Sequence, residues 1–452
     1  MITRHVLSVR RSDGGTRKVH YRRCGKGPLL LMVHQSPRSS AEYAELMLKW
    51  GEHFTCIAPD TPGFGQSDAL PLTDGREPEI NDFADALAEF VSALGIAQCP
   101  AYGFHSGGII LVTAVKRHPK LFSALAIGGY AIWTKAEMDL FGESYLPEWH
   151  PSDYGEHLTW LWNRMLEQSW FFPWFDIRDE TRLTVAHADV ARVNQAVSEM
   201  LDAGNDYRAG YGAVLRAPRD IPEDDSAPPC LITAYDGDPL QSHIDRLGTM
   251  PSKWRAEKVA TPQDHQAASL AFLQDHADAV PCPDLAEEEN EGWLPIGNGL
   301  IHWRGDKSAG RLTLHGPAAQ MEEENTGALA IDVPGHGYSS AYDDMAGTIK
   351  QAAELLGAKE IEWPSASLGD PDQLYPDLIP DRFGSHLTRA WSAARAQAMF
   401  EPWYSANYAD LIPVKAEDLA PSNLAKRAYA RLRASDAAKR FHNLLLERDN
   451  NS

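Results

Sequence analysis

The sequence predicts an α/β protein: a mostly parallel sheet flanked by helices, a helical cap, and a shorter second α/β unit after it. Three observations predict this. Leu29-Leu30-Leu31-Met32-Val33 is a continuous apolar run of strand length, as expected of a strand covered on both faces. Such runs alternate with segments of helical period through the first 130 residues and again after about residue 228. Between them, residues 131–225 are helical in period and rich in tryptophan, which reads as a cap.

Taken in order, His5–Val9 and Val19–Arg22 alternate and read as half-exposed strands, ahead of the buried Leu29–Val33. That strand runs into His34-Gln35-Ser36-Pro37. Cys56–Pro59 is a second short buried strand, followed by the turn Asp60-Thr61-Pro62-Gly63-Phe64-Gly65-Gln66-Ser67. Phe83, Leu87, Phe90, Val91 and Leu94 lie at helical spacing, and Gly95 ends that helix. Next comes Ala101-Tyr102-Gly103-Phe104-His105-Ser106-Gly107-Gly108, then the helical Ile109–Val115, then the strand Ala124–Ile127 with Gly128-Gly129 after it. Past the cap, Cys230–Tyr235 is a late strand leading into Asp236-Gly237-Asp238-Pro239, and Gln263-Asp264-His265 opens a last helix.

These four stretches, in this order, resemble the α/β-hydrolase superfamily, which includes esterases, epoxide hydrolases and dehalogenases. The resemblance covers residues 1 to about 280 and implies the α/β-hydrolase fold. It identifies residues 101–108 as the nucleophile elbow, a strand-turn-helix that exposes one side chain ahead of a helix N-terminus. In the pattern Gly-x-nucleophile-x-Gly, Gly103 and Gly107 place His105 in the nucleophile slot, not Ser106. The family's spacing of ten residues from the helix-ending glycine, here Gly95, gives the same frame. A slip of one residue would put Phe104 where the tight turn needs glycine. The resemblance further implies Asp238 as the triad acid, with Asp236 second, His265 as the triad histidine, and the N–H of Gln35, Ser36 or Ser106 as oxyanion donors. Dehalogenase and epoxide hydrolase chemistry needs an aspartate in the elbow, and none is there.

Three readings follow. Ser106 attacks a carbonyl with His265 as base and Asp238 behind it. Or His105 acts as nucleophile, or as base on water or in a lyase-type reaction; neutral imidazole is competent near pH 7. Or the fold serves binding alone. The first two make the protein a hydrolase of an ester-like small-molecule carbonyl substrate, without cofactor or metal. A metal site from His105, His265 and Asp238 is a remote fourth arrangement.

Residues 281–292, with the run Glu287–Glu289, read as an acidic linker. Beyond it the first half recurs. Leu312–Gly316 matches the strand ending in His34, and Asp332-Val333-Pro334-Gly335-His336-Gly337 matches the turn at Asp60. Gly155-Glu156-His157-Leu158-Thr159 matches Gly384-Ser385-His386-Leu387-Thr388, and Trp162, Gln168 and Trp174 match Trp391, Gln397 and Trp403, all at one offset. This predicts a partial internal duplication over residues 293–452. Ser367 falls at the second elbow position, with no late strand carrying an acid and no triad histidine after it, so it is expected to be unreactive. The second copy is expected to pack on the first or to form a homodimer interface.

Composition fits a globular protein of 452 residues, 43% hydrophobic and 23% charged. A net charge of −21 argues against nucleic-acid and anionic-membrane partners. The five scattered cysteines form no C-x-x-C pair and read as reduced thiols, so a cytoplasmic location is expected.

Overall fold

The computed structural model describes residues 1–71, 75–277, 282–283, 288–321 and 327–451. They form two compact units, Met1–Trp149 with Arg164–Glu287, and His150–Asn163 with Glu288–Ser452.

The first unit holds β1 (Thr3–Arg10), β2 (Thr16–Cys24), β3 (Leu29–Val33), β4 (Thr55–Pro59), β5 (Cys99–Phe104), β6 (Phe122–Gly128), β7 (Cys230–Tyr235) and β8 (Trp254–Val259). They pair in the order β1-β2-β4-β3-β5-β6-β7-β8. β1, β2 and β4 run antiparallel to their neighbours up to the β2–β4 junction, and every pair from β4 to β8 is parallel. The apolar runs are explained by the two faces. Leu31, Val33 and Ile127 join a cluster with Phe83 and Leu87 of α2 (Ile80–Ala93) and Leu111 of α3 (Ser106–Arg117). Their neighbours Leu30, Met32 and Ala126 face the other way, onto Met47 and Trp50 of α1 (Ala44–Trp50) and Phe272 and Leu273 of α8 (Pro262–Asp275). Each large side chain so buried contributes ~1.5–3 kcal/mol. This is the architecture that the resemblance implied.

β8 escaped the sequence reading. It is an edge strand, and Arg255, Glu257 and Lys258 leave it no apolar run. Between β6 and β7 lie α4 (Lys135–Tyr145), α5 (Glu156–Gln168), α6 (Val190–Ala203) and α7 (Tyr207–Leu215). The indole N–H groups of Trp133, Trp170 and Trp174 donate to the carbonyls of Val214, His187 and Tyr145, a packing role.

The second unit contains β9 (Glu291–Ile296), β10 (Gly299–Arg304), β11 (Arg311–Leu314), β12 (Leu329–Ile331) and β13 (Glu360–Glu362), in the order β13-β11-β12-β10-β9. Its helices are α9 (Met345–Leu355), α10 (Pro371–Leu374), α11 (Ser385–Gln397), α12 (Pro421–Ala434) and α13 (Asp436–Asn451). The strand order and senses are those of β5-β3-β4-β2-β1. The polar contacts under the strands recur as well. His20 Nδ1 lies 2.7 Å from Asp60, and His302 Nδ1 lies 2.8 Å from Asp332. His34 Nε2 accepts the Thr61 N–H at 2.9 Å, and His315 Nε2 accepts the Val333 N–H at 3.0 Å.

Residues 150–163, expected with the cap, belong to the second unit because the start of α5 packs on α11. The packing is reciprocal. Trp391 closes over Gly155 and Trp162 over Gly384, where a Cβ would come within 2.7 Å and 2.4 Å of the ring. His157 meets Trp391 edge to face, and Trp162 meets His386 likewise. The unit boundary falls at Glu287/Glu288 rather than at residue 280. Residues 281 and 284–287 of the expected linker lie outside the described residues, and Glu291 already begins β9. No helix of the described residues is long and apolar enough to cross a membrane.

Candidate active site at the elbow histidine

β5 delivers the chain to His105 and α3 takes it away. His105 has φ 47° and ψ −110°, a conformation that L residues avoid and that turns its side chain out of the strand. Its N–H donates to Gly128 O at 2.7 Å, which pins the turn to β6. Gly103 and Gly107 are glycines by necessity. A Cβ on Gly107 would sit 1.9 Å from Val33 O, and one on Gly103 would sit 2.7 Å from the Gly107 backbone. Ser106 is already the first helical residue. The apex of the turn is therefore an imidazole.

His105 Nε2 lies 3.1 Å and 3.2 Å from the two carboxylate oxygens of Asp238. Burial of Asp238 disfavours its charge, but the His105 imidazole and the Leu240 N–H, donated at 2.8 Å, outweigh it and hold the carboxyl below its ordinary value. An ionised carboxylate only accepts, so the neutral imidazole carries its proton on Nε2 and presents a free lone pair at Nδ1. Nδ1 has no hydrogen-bond partner among the described residues, and 22% of the side chain is exposed. Phe104 stacks on the ring at 4.1 Å. Gly129 clears the space for the pair: a Cβ there would lie 2.5 Å from His105 Cδ2 and 2.9 Å from Asp238 Oδ2.

His265 departs from its expected place. It is 2% exposed, its Nε2 is 2.8 Å from the Tyr102 hydroxyl, and its Nδ1 is 2.5 Å from Thr233 Oγ1. Both nitrogens are occupied, so Asp238 orients His105 and not His265. Burial pushes the His265 imidazole down to about 4 and keeps it neutral. The physical reason for the exchange is the elbow itself. An imidazole at the apex reaches the acid directly, and the buried histidine finds hydroxyls on β5 and β7 instead. Asp236 bonds to neither histidine among the described residues. The same hydrogen bonds leave no three-ligand metal site, and no such cluster occurs elsewhere among the described residues.

The loop donors are engaged too. Gln35 N–H donates to Glu42 Oε1 at 2.7 Å, and the Gln35 amide donates to Oε2 at 2.9 Å. Ser36 N–H donates to Ser106 Oγ at 2.9 Å. Burial pushes the Glu42 carboxyl up to about 7, against the pull of Arg38 and Gln35. Arg38 itself pairs with Glu199, which ties α6 to this loop. Tyr102, Thr233, Glu42 and Gly129 were not singled out from the sequence. Only Gly129 left a visible signal, as the second of two glycines after a strand beside the elbow. In the second unit, Ser367 lies in irregular chain after β13, hydrogen-bonded to Tyr375.

The α/β hydrolase fold family matches residues 28–147, which include the elbow. A 2-(acetamidomethylene)succinate hydrolase of Mesorhizobium japonicum is 32% identical over 133 residues, 29% of this chain and 46% of that protein. Haloalkane dehalogenase 2 of Mycobacterium bovis is 30% identical over 122 residues, 27% of this chain and 41% of that protein. The chain thus spans less than half the length of these curated relatives. Among solved structures, epoxide hydrolase A of Mycobacterium thermoresistibile is 14% identical with a TM-score of 0.46, covering 62% of this chain and all of that one.

Proposed function

Because its first unit belongs to the α/β-hydrolase superfamily, we propose that this chain is a hydrolase of an ester-like or related small-molecule carbonyl substrate, with His105 as its base. The observation that carries the reading is the His105–Asp238 pair at the apex of the elbow. His105 Nδ1 accepts a proton from water as the water oxygen bonds to the carbonyl carbon. Asp238 stabilises the imidazolium that forms. The tetrahedral oxyanion then collapses and expels the alkoxide, which takes the proton from His105. Acid and alcohol leave, and the site is restored. Ser106 as nucleophile is disfavoured, because no described base accepts its proton and its oxygen already accepts an N–H.

The test is a panel of p-nitrophenyl esters of varied chain length, with amide and thioester counterparts. Wild type should turn over at least one, and His105→Ala should lose that activity. No turnover on the whole panel, or an undiminished His105→Ala, would overturn the reading.

We further propose that residues 288–452 descend from a partial duplication of the first unit. The repeated strand order and the repeated His–Asp contacts support this. Free thiols at Cys24, Cys56, Cys99 and Cys230, all buried, favour a cytoplasmic location.

A further inference from the structure

We propose that the Ser106 hydroxyl, primed by the Ser36 N–H, is an oxyanion donor of this site beside the Ser106 backbone N–H. This inference rests on the reading of the chain as a carbonyl hydrolase and names a group that would hold the charge. The backbone donors expected from the loop after β3 do not point at open space. Gln35 N–H is held by the Glu42 carboxylate at 2.7 Å, and Ser36 N–H by Ser106 Oγ at 2.9 Å. A substrate oxygen could displace neither without leaving a buried acceptor unpaired.

Ser106 offers what the loop does not. It is 3% exposed, and its Oγ uses a lone pair on Ser36 N–H. Its own proton meets no acceptor among the described residues. A buried hydroxyl proton without an acceptor is unfavourable unless a ligand supplies one. Here it lies one residue past the apex, at the first residue of α3, where the helix N-terminus adds positive potential. A hydrogen bond received by a hydroxyl makes it a stronger donor, and a bond from O–H to a full oxyanion is about twice as strong as a neutral one. The arrangement is a relay: Ser36 N–H to Ser106 Oγ, and Ser106 O–H to the oxyanion. No proton is transferred in it. The serine beside the apex is thus a catalytic residue, but as an electrophilic partner, which explains a serine next to a histidine elbow without making it a nucleophile.

The experiment uses the full chain and an ester that wild type hydrolyses. Ser106→Ala should lower kcat by about 10²-fold, the loss of one oxyanion donor, with KM and the pH midpoint of the rate unchanged. Ser106→Thr, which restores a hydroxyl, should recover most of that rate. Thermal unfolding of each variant separates this from loss of fold. A fluorophosphonate probe should leave Ser106 unlabelled in wild type. Two results overturn the inference and leave the hydrolase reading standing: Ser106→Ala as active as wild type, or covalent labelling at Ser106 with a loss as deep as that of His105→Ala. Wild type inert on the whole panel overturns the hydrolase reading, and the inference with it.

Discussion

Gly129 makes the sharpest demand on the proposed site. It has φ +57°, and a Cβ built on it would lie 2.5 Å from His105 Cδ2, 2.7 Å from Nε2 and 2.9 Å from Asp238 Oδ2. Ordinary carbon contact is about 3.5 Å, so in Gly129→Ala the imidazole must retreat by about 1 Å. The Nε2–Asp238 contacts at 3.1 Å and 3.2 Å then stretch out of hydrogen-bond range. A displacement of that size costs about 10²-fold in rate. The left-handed backbone adds ~1–2 kcal/mol of destabilisation. Gly95→Ala separates the two effects. Gly95 has φ +71° with nothing within 4 Å of the added carbon, so it carries the backbone strain alone. Initial ester hydrolysis rates and thermal midpoints of both variants decide the matter. Both should lose the stability that the left-handed backbone costs, Gly129→Ala more because of its overlap with the pair, and only Gly129→Ala should lose rate. Gly129→Ala within about threefold of the wild-type rate would refute the placement of the reacting pair.

Other outcomes follow from the same geometry. Asp238→Asn presents an amide that can donate to Nε2 and drive the imidazole proton to Nδ1, so kcat/KM should fall by ~10²–10⁴-fold; a fall of less than about threefold removes Asp238 from the mechanism. His265→Ala leaves the Tyr102 and Thr233 hydroxyls without their imidazole, so urea unfolding should show a loss of ~2–4 kcal/mol while the folded enzyme keeps turning over. Complete inactivation of a well-folded His265→Ala would instead restore it as the base. Acid should weaken the fold before the carboxylates titrate. Burial pushes His265 and His243 down to about 4 and His20 to about 3, whereas the unfolded chain takes up these protons near pH 6.5. Stability is therefore full above pH 6.5 and falls toward pH 4, by up to ~1.4 kcal/mol per pH unit per histidine. Glu42, pushed up to about 7, opposes this as a single group. A urea midpoint unchanged from pH 7 to pH 5 would contradict the assignment of these imidazoles as neutral.

The first unit was legible because its strands are buried on both faces. Leu29–Val33 needed no context to be read as β3, and the glycine spacing around His105 set the frame of the elbow. β8 was not legible, since an edge strand with Arg255 and Lys258 lacks that apolar signal. Which histidine meets Asp238 was not legible either. Residues 105, 238 and 265 are far apart in the chain, and their pairing depends on the depth to which each strand end carries its side chain. Tyr102 looked like one more apolar residue of β5, and its hydroxyl proved to be the partner of His265. The placement of residues 150–163 was hidden by the continuity of α5, whose residues fall in both units.

The crossed packing of α5 and α11 ties two remote places of the chain into one evolutionary constraint. Gly155 is kept small by Trp391, and Gly384 by Trp162. The overlap made by a larger residue at either glycine is relieved only when the opposite indole shrinks, and the strain of the left-handed backbone, φ +83° at Gly155 and +69° at Gly384, remains. Such substitutions should therefore be epistatic in crossed pairs, with Gly155→Ala relieved by Trp391→Leu and made no better by Trp162→Leu. Residues 150–163 and α11 belong to one compact unit, so this crossed packing makes the segment before Arg164 and the chain after Glu288 depend on each other for stability.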